Sequence, residues 1–302
     1  MRAEALAPAK VNLFLHVGPP QADGYHPVCS LMAFADVGDR IVVETAARPE
    51  FRVDGPFAPD LAGTDPADNL VSRAVALLRT RAGVQTPALR IELTKDLPVA
   101  AGLGGGSSDA GAALRAASKV LGLDLPNDEL MSYAGELGAD GPACLAARPV
   151  IGEGRGDRLS PAPAAPELHA VLVNPRSPCP TGAVYRAYDA GNAPGRPDRP
   201  DIPEAFESTA ELAGLLNHCR NDLEAAAIRV APEIAPVLAL LRSQPESLLA
   251  RLSGSGATCF ALCPGAGEAR ALAKRVSALQ PGWWVRPCRL GGPWPDPSAA
   301  VA

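Results

Sequence analysis

Between Leu97 and Ala117 the chain reads LPVAAGLGGGSSDAGAALRAA, and five of the six residues from Gly102 to Ser107 are glycine or serine. Glycines let backbone N–H groups close on an anion, a following helix N-terminus adds the positive end of its dipole, and serines add hydroxyl donors. The stretch therefore reads as an anion-binding loop, with a flexible glycine-rich turn as the alternative. A Walker A loop needs a lysine after the glycines, and Ser107 and Ser108 stand there instead. A dinucleotide loop needs a third glycine where Ser107 lies, and it follows a first strand rather than beginning about a hundred residues into the chain.

Other residues could do chemistry but read two ways. Lys10 interrupts an apolar, strand-like stretch, so it is either a solvated edge residue or a buried cation; Asn12, two residues on, shares its face. Asp140, beside Gly141 and Pro142, is either a helix-end residue or a free carboxylate. His26 follows Tyr25 and the turn pair Asp23-Gly24, and Tyr185 lies in TGAVYRAY. His16, His169 and His218 have no visible partners and are expected to be structural.

The elements that must position these residues are mixed. Strands are expected at Ala7–Val17, at Leu31–Val37 and at Arg40–Thr45, the last two parted by the turn residues Gly38 and Asp39. An amphipathic helix starts at Asp68 and closes at Gly83. The strand ALRIELTKDL leads into the glycine loop, and Ser108 or Asp109 is expected to cap the next helix. A helix capped by Asn127 runs to Leu137, and PVIGEGRGDRLSP reads as a hairpin. Composition turns to Ala and Pro at Pro161–Pro166, which sets a domain boundary: residues 1–160 and 161–302. The second half opens with the strand ELHAVLVNP. A Pro-rich loop follows, with a short helix at Gly182–Asp189. Next come helices at Glu204–Leu216 and Asp222–Leu241, the second broken at Pro232. Two strands around a glycine turn, a helix at Ala266–Leu279 and a last strand WWVRPCRL complete it. The tail from Gly291 is expected to be disordered.

The 302 residues carry a net charge of −5, which argues against nucleic acid as partner. No apolar run is long enough for a membrane helix, and the N-terminal stretch, broken by Asn12, does not read as a signal peptide. Seven scattered cysteines without a CxxC pair fit a reduced, cytoplasmic protein with no zinc site.

Three stretches in order resemble one family. PVAAGLGGGSSDAGAAL resembles the phosphate-binding motif of the GHMP kinases, named for galactokinase, homoserine, mevalonate and phosphomevalonate kinases. PAKVNLFLHV at Pro8–Val17 resembles its N-terminal motif, and RLSGSGATCFAL at Arg251–Leu262 its C-terminal glycine motif. ADGYHPVCSLM (Ala22–Met32), LGADGPACL (Leu137–Leu145), NDLE (Asn221–Glu224) and DNLVSRA (Asp68–Ala74) resemble the branch acting on a cytidine diphosphate derivative of methylerythritol. Departures are Val99–Ala101 in the loop motif, Gly141 and Ala143 beside the aspartate, and the Pro-rich insertion after Ala190.

The resemblance implies an α+β fold of two domains. The first is like domain 2 of ribosomal protein S5, and the second is a ferredoxin-like GHMP C-terminal domain. It implies ATP and magnesium, with no protein ligand assigned to the metal, and a small-molecule substrate. Pro98, Val99, Ala100, Ala101, Gly102, Leu103, Gly104, Gly105, Gly106, Ser107 and Ser108 would hold ATP. Asp140 would be the general base, and Lys10 would keep it charged and polarise the acceptor hydroxyl. Asn12 would hydrogen-bond the substrate, Tyr25 and Tyr185 would stack on the cytosine, and His26 would meet its edge. The turn Ser253–Thr258 would close the site from the second domain. Mevalonate or homoserine as acceptor is the alternative, against which the Asp23–His26 segment argues. A non-catalytic nucleotide binder is another, against which the joint presence of Lys10 and Asp140 argues.

Overall fold

The computed structural model describes residues 1–83, 87–191, 195–294 and 296. The first half contributes strands β1 (Arg2–Val17), β2 (Val28–Ala46), β3 (Glu50–Asp54), β4 (Ala88–Thr94), β5 (Val150–Gly154) and β6 (Arg158–Pro161). Its helices are α1 (Leu70–Ala82), α2 (Gly105–Leu121), α3 (Asn127–Leu137) and α4 (Gly141–Ala146). The second half contributes β7 (Leu168–Asn174), helices α5 (Thr181–Asp189), α6 (Thr209–Asn217), α7 (Glu224–Val230) and α8 (Ile234–Arg242), strands β8 (Leu249–Leu252) and β9 (Cys259–Cys263), α9 (Ala266–Leu279) and β10 (Trp284–Gly291).

The strand order is β3-β4-β2-β10-β7-β9-β8, with β1 on β2 and the β5–β6 hairpin also on β2. All pairs are antiparallel except β3–β4. The strands of the two halves join where Leu290 and Gly291 of β10 pair with Ala35 and Phe34 of β2. Helices α1, α2 and α3 bury Val71, Leu78, Ala113, Ala117 and Tyr133 against Ile41, Val43 and Leu93 of the sheet. Helices α5, α7, α8 and α9 bury Val184, Ala227, Val237 and Leu272 against Val171, Val173 and Ala261. A third cluster, with Phe14, Phe206, Leu212 and Phe260, fills the space between halves.

Several expectations need correction. No turn parts Leu31–Val37 from Arg40–Thr45; β2 is continuous over 19 residues. Gly38 serves close packing instead: a methyl group there would stand 2.1 Å from the Ala7 carbonyl oxygen of β1. Asp39 is wholly buried. Helix α1 is capped one residue later than expected, by Asn69, whose side chain accepts from Val71 N. Helix α2 begins at Gly105 with Gly104 as its cap residue, so Ser108 and Asp109 lie inside it, buried. Helix α3 has Pro126 at its cap position, not Asn127. Helix α6 starts at Thr209 rather than Glu204, because the Ser208 side chain accepts from Glu211 N. The expected disordered tail is anchored in its described part: Trp294 Nε1 donates to the Phe34 carbonyl and Leu6 N donates to Asp296 Oδ1. Residues 295 and 297–302 lie outside the described residues.

The outer edge of β1 faces the glycine loop and the second half rather than another strand. β1 has a single strand neighbour, β2. Backbone groups on a strand's other edge still need partners when buried. Here Lys10 N donates to Leu103 O, Asn12 N to Ser253 Oγ, Leu15 N to Arg220 O, and Val17 N to Asp222 Oδ2. The Arg251 guanidinium, buried, donates to the carbonyls of Leu13, Leu216 and Cys219. The outward amides change from even to odd numbers across a β-bulge between Asn12 and Phe14, as one extra residue in a strand requires.

No described helix is long and apolar enough to cross a membrane. All seven cysteines are free and buried. Burial pushes the thiols of Cys29 and Cys179 up to about 11 and those of Cys144 and Cys263 up to about 12. Thiolate is the reactive form, so the native protein is expected to show no fast-reacting thiol toward a disulfide reagent at pH 8. All seven should react after denaturation. A rapidly labelled cysteine in the native protein would contradict this packing.

Candidate active site

A cavity of about 470 Å³ lies against the free edge of β1. Its centre is the glycine loop. Ala100, Gly102 and Gly104 have φ values of 51°, 75° and 62°, in the left-handed region. That turns the chain sharply into α2 without a side-chain cap, leaving the first amides of the helix free. Pro98 to Gly102 and Gly104 to Ser107 line the cavity. Leu103 and Ser108 do not: both are buried, and Leu103 contributes its carbonyl to Lys10 N.

Contacts lead step by step along the loop. A methyl group at Gly106 would meet Leu70 Cδ1 at 3.4 Å, one at Gly105 would meet Lys95 Nζ at 3.1 Å, and one at Gly104 would meet Lys10 Cε at 3.2 Å. Lys10 Nζ in turn pairs with Asp140 Oδ1 at 2.7 Å; the Lys10 side chain is 6% exposed and that of Asp140 40%. Asp140 occupies the cap position of α4, but its side chain caps nothing. Its carboxylate is thus directed at Lys10 and the cavity. Lys10 is thus a buried cation, and Asp140 is a helix-end residue whose carboxylate pairs with Lys10 rather than capping the helix.

Beyond Asp140 lies the tip of the β5–β6 hairpin, where a methyl group on Gly156 would approach Asp140 Oδ1 to 4.0 Å. Arg155 at this tip lays its guanidinium 3.5 Å from the centroid of the exposed Tyr25 ring. His26 is buried; its Nδ1 lies 2.9 Å from Gly18 O and its Nε2 3.3 Å from Asp189 Oδ1. The ring packs against Tyr185, 4.9 Å between centroids, and Tyr188, 5.7 Å. Burial pushes the Tyr185 phenol up to about 12, so it stays neutral. Asn12 donates through Nδ2 to Ser30 Oγ at 2.7 Å, while its buried Oδ1 has no partner. An unpartnered buried acceptor is costly unless something else donates to it.

From the second half, Ser253 Oγ donates to Gly102 O at 2.9 Å and Thr258 N to Ala101 O at 3.0 Å. The turn therefore packs on the loop, as expected. It is braced by Asn221 Nδ2, which donates to the carbonyls of Leu252 and Gly254.

Sequence reasoning missed one cluster. Lys95 Nζ, buried at the cavity wall, pairs with Asp39 Oδ2 and with Asp109 Oδ2 at 2.8 Å. Asp39 Oδ1 also accepts from the amides of Asp96 and Leu97, which fixes the start of the loop. Burial pushes the Asp109 carboxyl up to about 8 against the pull of Lys95. The two carboxylates hold the Lys95 ammonium up despite its own burial. The cluster then carries little net charge, as its burial requires. Only a long-range signal could have revealed it, because the three residues lie far apart in the chain and locally read as turn, strand end and cap. Of the histidines expected to be structural, His16 is buried with Nδ1 2.7 Å from Asp198 O, and His169 Nε2 lies 3.3 Å from Glu167 Oε1.

A glycine-rich helix start facing a paired lysine and aspartate is the arrangement of a small-molecule phosphotransferase. The family models described as GHMP kinases N terminal domain and GHMP kinases C terminal match residues 69–148 and 202–281. The chain belongs to the GHMP kinases. It is 57% identical over 295 residues to the 4-diphosphocytidyl-2-C-methyl-D-erythritol kinase of Caulobacter sp. (strain K31), covering 97% of this chain and 100% of that one. A crystal structure of 4-(cytidine 5'-diphospho)-2C-methyl-D-erythritol kinase is 35% identical with a TM-score of 0.75, covering 96% of this chain and 100% of that one. Homoserine kinase from Cytophaga hutchinsonii shares the fold at 18% identity, with a TM-score of 0.67 over 96% of this chain and 95% of that one.

Two outcomes are expected. Gly102 combines φ 75° with a close approach: a methyl group there would stand 2.3 Å from Ser253 O and 2.7 Å from Gly256 N. Gly102→Ala should cost about 2–4 kcal/mol of unfolding free energy in denaturant titration and weaken nucleotide binding. For Asp109, the folded value lies above the ordinary one, so the stability it lends is full at acid pH and lost as pH rises through about 8. Unfolding free energy should fall with pH between about 4 and about 8 and then level off. Asp109→Asn should flatten that slope; an unchanged slope would remove Asp109 as its source.

Proposed function

We infer that the chain transfers the γ-phosphoryl group of ATP to the 2-hydroxyl of 4-diphosphocytidyl-2-C-methyl-D-erythritol, a step of the non-mevalonate route to isoprenoid precursors. The observation that carries the chemistry is the 2.7 Å Lys10–Asp140 pair beside the uncapped start of α2. The choice of acceptor is supported by the 57% identical relative that bears this activity in its name.

In this reading the loop amides and the α2 dipole bind the triphosphate. Asp140 takes the hydroxyl proton as the oxygen attacks, and Lys10 offsets the negative charge on both oxygens. Lys10, itself ordered by Leu103 O, keeps Asp140 turned toward the acceptor. Asn12 Oδ1 accepts from the substrate, which supplies its missing donor. Tyr25 and Tyr185 take the faces of the cytosine. His26, held by Gly18 O, meets its edge by displacing the longer contact to Asp189.

Magnesium would screen the phosphate charge when bound. Among the described residues no three His, Cys, Asp or Glu side chains group to hold a metal. That donor set suits a cation that takes most of its oxygens from the nucleotide. Ser107, at the cavity wall, carries the hydroxyl oxygen that would hold it.

The finer fold names belong to the same proposal. The second half runs strand, helices, strand, strand, helix, strand with the order β10-β7-β9-β8, which supports a ferredoxin-like unit for residues 161–302. The first half, residues 1–160, is assigned the fold of domain 2 of ribosomal protein S5 through the family. Both reactants are small molecules, and the cytoplasm is the compartment that seven unpaired thiols favour.

The test is ATP consumption with magnesium, offering the cytidine diphosphate substrate, mevalonate and homoserine in parallel. Turnover is expected on the first alone; turnover on another acceptor would keep the phosphate loop but overturn the assignment of Tyr25 and His26. Asp140→Asn should lower kcat by about 10²–10⁴-fold with ATP binding retained. Retained turnover would show that another group takes the proton.

A further inference from the structure

Three basic side chains line the cavity: Lys10, Lys95 and Arg155. The first two are committed to carboxylates, Lys10 to Asp140, and Lys95 to Asp39 and Asp109. Arg155 is different. Among the described residues no carboxylate lies within ion-pair distance of its side chain, and its guanidinium rests on the face of Tyr25. It stands at the hairpin tip between Gly154 and Gly156, with Arg155 N donating to Asp157 Oδ1 at 3.1 Å. That tip overhangs Asp140. Among the described residues the cavity thus keeps one cation without a carboxylate partner, at the hairpin tip beyond the Lys10–Asp140 pair, parked on a flat aromatic ring.

We propose that Arg155 is the residue that binds the diphosphate of the acceptor, and that it reaches this role by an exchange on the Tyr25 face. A guanidinium and a pyrimidine are both flat and both stack on an aromatic ring, so they compete for the same face. When the base takes that face, the guanidinium is released beside the base, where the acceptor carries its two phosphates. A guanidinium binds phosphate through paired, charge-assisted hydrogen bonds that an ammonium cannot match. Arg155 therefore selects nucleoside diphosphate derivatives over uncharged nucleosides, and it does so in binding rather than in the chemical step.

This inference rests on the proposed acceptor, and calorimetric titration separates the two. Wild-type protein is titrated with cytidine 5'-diphosphate and with cytidine, then Arg155→Gln and Arg155→Lys likewise. Wild type should bind the diphosphate more tightly than the nucleoside. Arg155→Gln should weaken the diphosphate about tenfold and leave cytidine unchanged or tighter, since nothing then competes for Tyr25. Arg155→Lys, which keeps the charge but not the planar fork, should fall between. In turnover, Arg155→Gln should raise KM for the acceptor about tenfold with kcat within about twofold. If wild type binds neither ligand, the acceptor reading fails and the proposal with it. If wild type binds the diphosphate and Arg155→Gln binds it equally well, or if both ligands weaken together, only the proposal is overturned. A loss confined to kcat would also overturn it, by assigning Arg155 to the transferred phosphoryl group.

Discussion

The free edge of β1 is the constraint on which the site depends. A buried strand with one neighbour must find hydrogen-bond partners for half its backbone. β1 finds them in the segments that make the site: the glycine loop at Lys10, the 253–258 turn at Asn12, and residues 220–222 at Leu15 and Val17. Satisfying the strand and assembling the cavity are therefore one process. The loop cannot leave Lys10 N without also leaving Ser253 and Thr258, because Ala101, Gly102 and Leu103 bond to all three at once.

Charge is arranged around the loop in the same economical way. Two buried lysines flank the glycines, Lys95 beside Gly105 and Lys10 beside Gly104. Each is paired with carboxylate, so neither is an isolated charge in a low-dielectric wall. The pairs differ in exposure. Asp39 and Asp109 are buried and hold the loop's entry, whereas Asp140 is substantially open to the cavity. The same residue types thus make a closed cluster in one place and a pair open to the cavity in the other.

Much of this was legible in the sequence, and what escaped has a common cause. The glycine loop, the Ala266–Leu279 helix and the break at Pro232 are local signals, and each appears where composition put it. The packing of the Ser253–Thr258 turn on the loop came from a family motif rather than from periodicity. Gly38-Asp39 misled because a glycine that admits the Ala7 carbonyl looks, in one dimension, like a glycine that turns a chain. Asp109 misled because a polar residue near a helix start looks like a cap, when its partner Lys95 lies on the preceding segment. Arg251 and Asn221 satisfy carbonyls of segments remote in sequence, and no local pattern announces that.

The anchoring of the chain's end to its beginning has a consequence for biosynthesis. Lys10 pairs across the ladder with Phe34, whose carbonyl receives Trp294 Nε1, while Asp296 accepts from Leu6 N. Chains emerge from the ribosome N-terminus first, so β1 is among the first segments made and waits longest for its partners. Apart from Leu103, the residues that complete its edge, from Arg220 to Asp296, come about two hundred residues or more later. A nascent chain therefore exposes the strand bearing Lys10 until those later segments have been made. The cavity is complete only when segments of both halves are present.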